Sequence, residues 1–535
     1  MSTRFFRLTA IVALVLTANA PLNAQYVGKS PAELGKVQFS TSCSPAVQDE
    51  FVRGVALLHS FWWSEGEKAF KSVIARDPSC AIAQWGLASI YMNNPFGTPP
   101  AVRVADGQAA LDRAGQIPAQ TQRERDYVDA VTAYYQDYGN RTEPVRQSAR
   151  AKAYAALAAK YPNDDEAKIF AALYLASSQP LADQTYASRR QAAQILEQLW
   201  TKYPDHPGVA HYLIHCYDEP QLADIGIRPA RRYSDIAPAA PHAQHMPSHI
   251  FTRIGVWKDS VESNRRAAFV AIRAGEPGEA MHATDFQVYA LLQMARDGDA
   301  RAALRDARQV DVSKVPTYVT PPYALAAIPA RIAVERGAWG EAAGLEVVST
   351  FFPPAEATTR FARALGFARS GNAGAAKLEV DQIVLLRDKL LAAKNAYWAG
   401  EVEVMRLSSL AWIALGEKRS EDAVAIMRQA ADMEDKSEKA SLTPARILPA
   451  RELLADLLLD LKRPADALKE YEASQLREPN RLRGLYGAAV AAELSGNSAK
   501  ARDYYKKVVA MAGSGDPRPE LITARAYLST HSMSS

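Results

Sequence analysis

Strand-like alternation of apolar and polar residues is almost absent from this chain, which excludes a fold built on sheets. Beyond the first two dozen residues, no stretch approaches the about 18 to 20 uninterrupted apolar residues that a membrane helix needs. No transmembrane segment is therefore expected in the mature chain. Charge of one sign is also lacking. The 63 Lys and Arg stand against 59 Asp and Glu, and both signs are spread along the chain. That excludes a basic stripe for nucleic acid or a basic membrane patch. Ready-made catalytic signatures are missing as well. There is no nucleophile elbow, phosphate loop or dinucleotide fingerprint. His-Glu-x-x-His is absent, because Tyr212 follows His211 and Met246 follows His245.

The first residues have the pattern of an export signal. Arg4 and Arg7 precede "LTAIVALVLTANA", and "LNA" ends at Ala24 as a small-residue cleavage site. The apolar run is too short to stay in a bilayer, and no cysteine follows it to carry a lipid. The expected mature chain starts near Gln25 and is periplasmic or extracellular. Loss of two arginines and no acid lowers the net charge from +4 to +2. Export makes disulfides possible. Of the three cysteines, Cys43 and Cys80 flank a first helical hairpin, so a bond between them would staple its open end; two separate thiols are the alternative. Cys216 would stay free.

Alanine-rich segments with apolar residues every three or four positions run from about residue 45 to the end, the pattern of amphipathic helix. They share a period. Leu454, Ala455, Leu458, Ala467, Tyr471 and Ser474 recur 34 residues later as Ala488, Ala489, Ala492, Ala501, Tyr505 and Val508. Gly337 and Gly371 are also 34 apart. This is similar to the tetratricopeptide repeat (TPR), in which small residues let two helices cross closely. A looser copy holds Gly54, Leu57, Gly66, Phe70 and Pro78. The expected fold is all-α, an α-solenoid of TPR-like helical hairpins, with neighbours stacked to share a core. Its parts are a signal (1–24), an N-terminal extension (25–44), N-terminal repeats (45–205), histidine-rich repeats (206–310), further repeats (311–431), a linker (432–446), a C-terminal pair (447–512) and a tail (513–535). Residues 95–120, the linker and the final "STHSMSS" are the expected irregular pieces.

Seven of the nine histidines lie between His206 and His282. Pro204 and Pro238 end second helices, so "GVAHYLIHCYD", "PHAQHMPSHIFTRIG" and "MHATDFQVYALLQMA" are three successive first helices, side by side on a groove. His211, His215 and Asp218 share one helical face; so do His242, His245 and His249; His282 and Asp285 share a third. Imidazole and carboxylate are the ligands of a divalent transition metal, zinc or copper. Packed helices lie about 8 to 10 Å apart, a gap that opposed imidazoles can close. The eight groups exceed a usual ligand set, so Asp218 and Asp285 can instead hold a ligand imidazole by its other N–H. More than one ion is possible. The competing reading is a set of satisfied polar residues, or a histidine-lined groove for an acidic peptide. Nitrogens of His211, His215 and His245 or His249 within about 4 Å of a common point would favour metal, since metal–nitrogen bonds are about 2.0 to 2.1 Å.

Other residues are weighed around this cluster. Pro247 either kinks its helix or starts a shorter one. Asp218, Glu219 and Asp285 are candidate catalytic bases or orienting groups. Tyr217, Arg231 and Arg232 are candidates to orient an anion, with solvent-facing charge the competing role for the arginines. His206 sits between helices as a linker residue. His59, Trp62 and Trp63 have the pattern of core packing in the first hairpin. Cys216 lies roughly 140° around its helix from His211, facing away.

The segments "VQFSTSC…FVRGVALLHSFWW…DPSCAIAQWGLA" and "HYLIHCYDEP…APHAQHMPSHIFTRIGVW" resemble a group of exported bacterial tetratricopeptide-repeat proteins, over roughly residues 37–295. The resemblance implies the repeat fold and export. It points to His211, His215, His242, His245 and His249, and implies no reaction. The leading reading is an exported solenoid that binds a protein or peptide partner, not nucleic acid, and carries a histidine metal site. The rival is a metal-dependent enzyme, most simply a hydrolase using metal-activated water. A metal-free scaffold is third.

Overall fold

A computed structural model describes residues 33–97, 101–118, 121–313, 315 and 317–531. The expected signal lies outside them. Among the described residues there is no strand, and helices follow one another as antiparallel pairs. No helix among them is long and apolar enough to cross a membrane. The chain is an all-α solenoid of TPR-like hairpins.

Small residues at the repeat positions set how closely the helices cross. The Phe70 ring packs where a Cβ on Gly54 or Gly86 would lie, and the Tyr471 ring does the same at Gly487. Leu454, Leu458, Ala467 and Tyr471 are buried, as are Ala488, Ala492, Ala501 and Tyr505. The turns repeat too. Gly337 and Gly371 take left-handed backbone at φ 61° and 82°, the conformation that closes a helix end most cheaply at glycine. Lys462 and Gly496, again 34 apart, do the same at φ 60° and 77°. Cys43 and Cys80 are disulfide-bonded beside the first hairpin, and Cys216 is a free buried thiol.

Three segments differ from the sequence reading. Residues 95–120 contain a helix, Val104–Gln116, seated where Gly107 makes room for the Tyr135 ring. Residues 513–531 are not a loose tail: Pro519–Thr530 is a helix whose Leu521, Ala524 and Tyr527 are buried. The last hairpin would otherwise expose an apolar face, and a terminal helix covers it. The third difference matters most for function. After the helix Ser420–Glu434 the chain is irregular up to Pro449, but it is not a solvated linker. Glu438, Lys439 and Thr443 are buried.

This segment ties distant hairpins together. Its Glu438 N–H donates to Leu181 O at 2.8 Å, and the Glu438 carboxylate accepts from Tyr186 and Arg477 at 2.9 and 2.8 Å. Arg331 donates to Thr443 Oγ1 and Ala445 O, both at 2.7 Å. Ser441 reaches Phe96 O at 3.4 Å. Buried polar groups need partners, and this chain supplies them to itself across the space where a groove-bound peptide was expected.

Candidate metal centre

The three histidine-bearing helices are Pro207–Tyr217, the broken pair Pro241–His245 and Pro247–Arg253, and Pro277–Gln293. Each piece begins with a proline at its first position, where the missing N–H costs nothing. The break falls at Met246, so Pro247 starts the shorter piece. His206 caps the first helix, its Nδ1 accepting from Val209 N–H at 3.3 Å.

Six imidazoles converge, in two groups of three. His211, His215 and His242 form one trio; His245, His249 and His282 form the other. Within each trio one ring nitrogen per residue lies within 4.8 Å of the others. All six side chains are at most 9% exposed. They do not line an open groove. Phe96 stacks on His215 at 3.9 Å, Phe61 meets His211 at 4.4 Å, and Phe286 touches His245, His249 and His282 at 4.7 to 5.1 Å. Burial pushes the basicity of His211, His215 and His245 well below the ordinary imidazole value, lowers His249, and brings His282 down to about 3. Burial therefore favours the neutral form of these five rings, the state in which imidazole binds a metal.

Outer partners fix which nitrogen carries the proton. His211 Nδ1–H donates to His59 O at 2.7 Å, and His242 Nδ1–H to Glu279 at 3.0 Å. His245 Nδ1–H donates to Asn264 Oδ1 at 2.7 Å. That amide is oriented by its own Nδ2, which donates to Ser260 O at 2.8 Å. His249 Nδ1–H donates to Asp218 Oδ2 at 2.8 Å. The Nε2 atoms of His245 and His249 are then both unprotonated, and they face each other at 3.0 Å. Two lone pairs so placed repel unless a cation lies between them. In the other trio the Nε2 atoms of His215 and His211 are 3.1 Å apart. His242 Nε2 and His282 Nδ1 are buried with no protein hydrogen-bond partner, which buried polar atoms rarely tolerate.

A third cluster shows the contrast. His59, Glu166 and His206 also lie close together. There each bond is complete: Glu166 accepts from His59 Nε2–H and His206 Nε2–H, both at 2.9 Å, and His59 Nδ1 accepts from the Tyr212 hydroxyl at 2.9 Å. This is a satisfied hydrogen-bond chain, so His206, which does lie in the connection between two helices, is also a buried member of the network. Glu166 and His206 border a cavity of about 1050 Å³, which does not reach either trio.

The carboxylates sit behind the imidazoles or away from them. Asp218 holds His249 and also accepts from Arg253 Nε at 2.8 Å; Lys439 Nζ is 3.9 Å away. Burial opposes its charge, but Lys439, Arg253 and His249 hold its carboxyl well below the usual range. Lys439 is itself pulled down to about 8 by burial. Glu219 pairs with Arg189 at 2.9 Å, and burial pushes its carboxyl up to about 7. Asp285 is turned to Arg331 Nε at 2.9 Å and belongs to neither trio. Arg231 and Arg232 pair with Asp259 and Asp205 at the surface, and Tyr217 donates to Glu197. None of these three reaches the histidines; the buried cations beside the trios are Arg253, Lys439 and Arg189, which donates to His215 O at 2.7 Å. Arg253 is four residues after His249 and was legible by spacing. Lys439 carries no such signal. Trp62 and Trp63, with Phe61, Tyr318 and His242, line a notch of about 10 Å³. The Cys216 thiol, pushed up to about 12 by burial, is outside both trios.

The fold and this site define a class: a helical-hairpin solenoid with an interior histidine centre. No family model and no curated protein matches the sequence. Among solved structures the chain is similar to the crystal structure of the APC/C hetero-tetramer Cut9–Hcn1, at 12% identity, covering 91% of this chain and 95% of that one with a TM-score of 0.27. A likeness that remote carries no argument, and the hairpin assignment rests on this chain's own helices.

Proposed function

We propose that this chain is an exported TPR-type scaffold that holds a divalent transition metal, zinc or copper, in its interior and presents its outer helices to a protein partner. The observation that carries the metal is the pair of unprotonated Nε2 atoms of His245 and His249, 3.0 Å apart, with both Nδ1 protons committed elsewhere. The tight outer partners are those that orient ligand histidines in metal sites. The Cys43–Cys80 bond supports an oxidising compartment. Burial of the histidines against Phe61, Phe96 and Phe286 separates the centre from a partner surface.

The rival, a metal-dependent hydrolase, draws support from the ligand count. Three imidazoles leave a coordination position open, the pattern of catalytic zinc. The test is metal analysis of protein purified without a histidine tag, beside a His215→Ala, His249→Ala double variant with its helix content checked. The expected result is metal in the parent and a large loss in the variant. Equal, negligible metal in both would sink the proposal.

A further inference from the structure

We infer that the two trios form one two-ion centre whose ions share a small bridging anion. This rests on the metal reading above and goes beyond it in ion number, coupling and ligand class.

Spacing is the first argument. Ring centroids within the first trio are 4.8, 5.0 and 6.5 Å apart, and within the second 4.9, 4.4 and 6.2 Å. Across the boundary His242 and His245 are 6.0 Å apart, and His215 and His249 are 6.2 Å apart. The gap between the trios is no wider than the trios themselves. Each trio also holds its own buried nitrogen without a protein partner, His242 Nε2 in one and His282 Nδ1 in the other. Each trio thus has the ligand atoms for an ion of its own.

Charge is the second argument. All six imidazoles are neutral ligands. Two divalent ions bring four positive charges into a buried space. Among the described residues, Asp218 and Glu279 alone touch these imidazoles with negative charge, through His249 and His242. Asp218 is already shared with Arg253 and Lys439. Uncompensated buried charge is expensive, so the ions require an anion the chain does not supply. Hydroxide would meet that need, as a water that gave up one proton to solvent on binding and so brought one negative charge.

The experiment loads the metal-free full chain with copper(II) sulfate and counts bound copper and its electron paramagnetic resonance (EPR) intensity. The expected result is two ions per chain with far less EPR signal than that copper requires, because bridged copper(II) ions couple. His242→Ala and His282→Ala should each keep one ion, now fully visible. The parent measurement stands alone if either variant fails to fold. One ion per chain, or two fully visible ions, overturns this inference and leaves the metal site standing. No copper bound overturns both.

Discussion

Asp218→Asn should weaken metal binding without touching a ligand. The Asp218 carboxylate accepts from His249 Nδ1 at 2.8 Å and from Arg253 Nε at 2.8 Å, with Lys439 Nζ at 3.9 Å. An amide keeps the shape, removes the charge, and offers one acceptor oxygen where two are used. The ring of His249 loses the partner that fixes its proton on Nδ1. Loss of such an outer partner typically costs about 10- to 100-fold in metal affinity, or about 1.4 to 2.7 kcal/mol. Stability falls as well, because Arg253 and Lys439 lose their shared counter-charge; breaking a buried pair costs about 3 to 5 kcal/mol. The control is Asp285→Asn. It also strips a buried arginine, Arg331, but it touches neither trio. Competition against a chelator gives the affinities, and denaturant melts give the stabilities. Both variants should lose stability, and only Asp218→Asn should lose affinity. Unchanged affinity in a folded Asp218→Asn protein, or equal affinity losses in the two variants, would refute the reasoning.

Removing the Cys43–Cys80 bond with a double serine substitution should destabilise the first hairpin by about 4 kcal/mol, the loop-closure value for a separation of 37 residues; limited proteolysis should then cut near residues 43–80 first. Glu434 is buried, and burial pushes its carboxyl up to about 8 against the opposing pull of Arg446. The folded state therefore keeps a proton that the unfolded chain releases near its ordinary value of 4.5. The stability this contributes is full below that value and is lost as pH rises through about 8. Glu434→Gln can still accept from Ala450 N–H, so melts between about pH 6 and about pH 9 should show a shallower loss than the parent. Gly366→Ala should destabilise by about 1 to 3 kcal/mol in the same melts, because the added Cβ would overlap the backbone of Trp339 and Ala343.

The helices and their pairing were legible because the signals are local. Apolar residues recur at helical spacing, prolines mark the ends, and small residues repeat every 34 positions. The histidine faces were legible for the same reason: His211 with His215, and His245 with His249, are one turn apart. What spacing could not give is the split into two trios. That depends on which ring nitrogen is tied outward, and the ties come from Asn264, Glu279 and the carbonyl of His59. Asp285 shows the same limit, since its partner Arg331 lies 46 residues away. The segment around Glu438 and Lys439 has the composition of a solvated linker. Its burial rests on partners scattered from Leu181 to Arg477, each unremarkable where it stands in the chain. The C-terminal helix was within reach, because Leu521, Ala524 and Tyr527 recur every three residues.

The central claim is that two histidine trios inside this solenoid hold metal. Crystals grown with copper(II) or zinc, with diffraction measured on both sides of the metal absorption edge, address it directly. The account predicts two anomalous peaks, one about 2.0 to 2.1 Å from a nitrogen of each of His211, His215 and His242, and one at the same distance from His245, His249 and His282. Anomalous density absent from both trios, or confined to surface carboxylates, would contradict it.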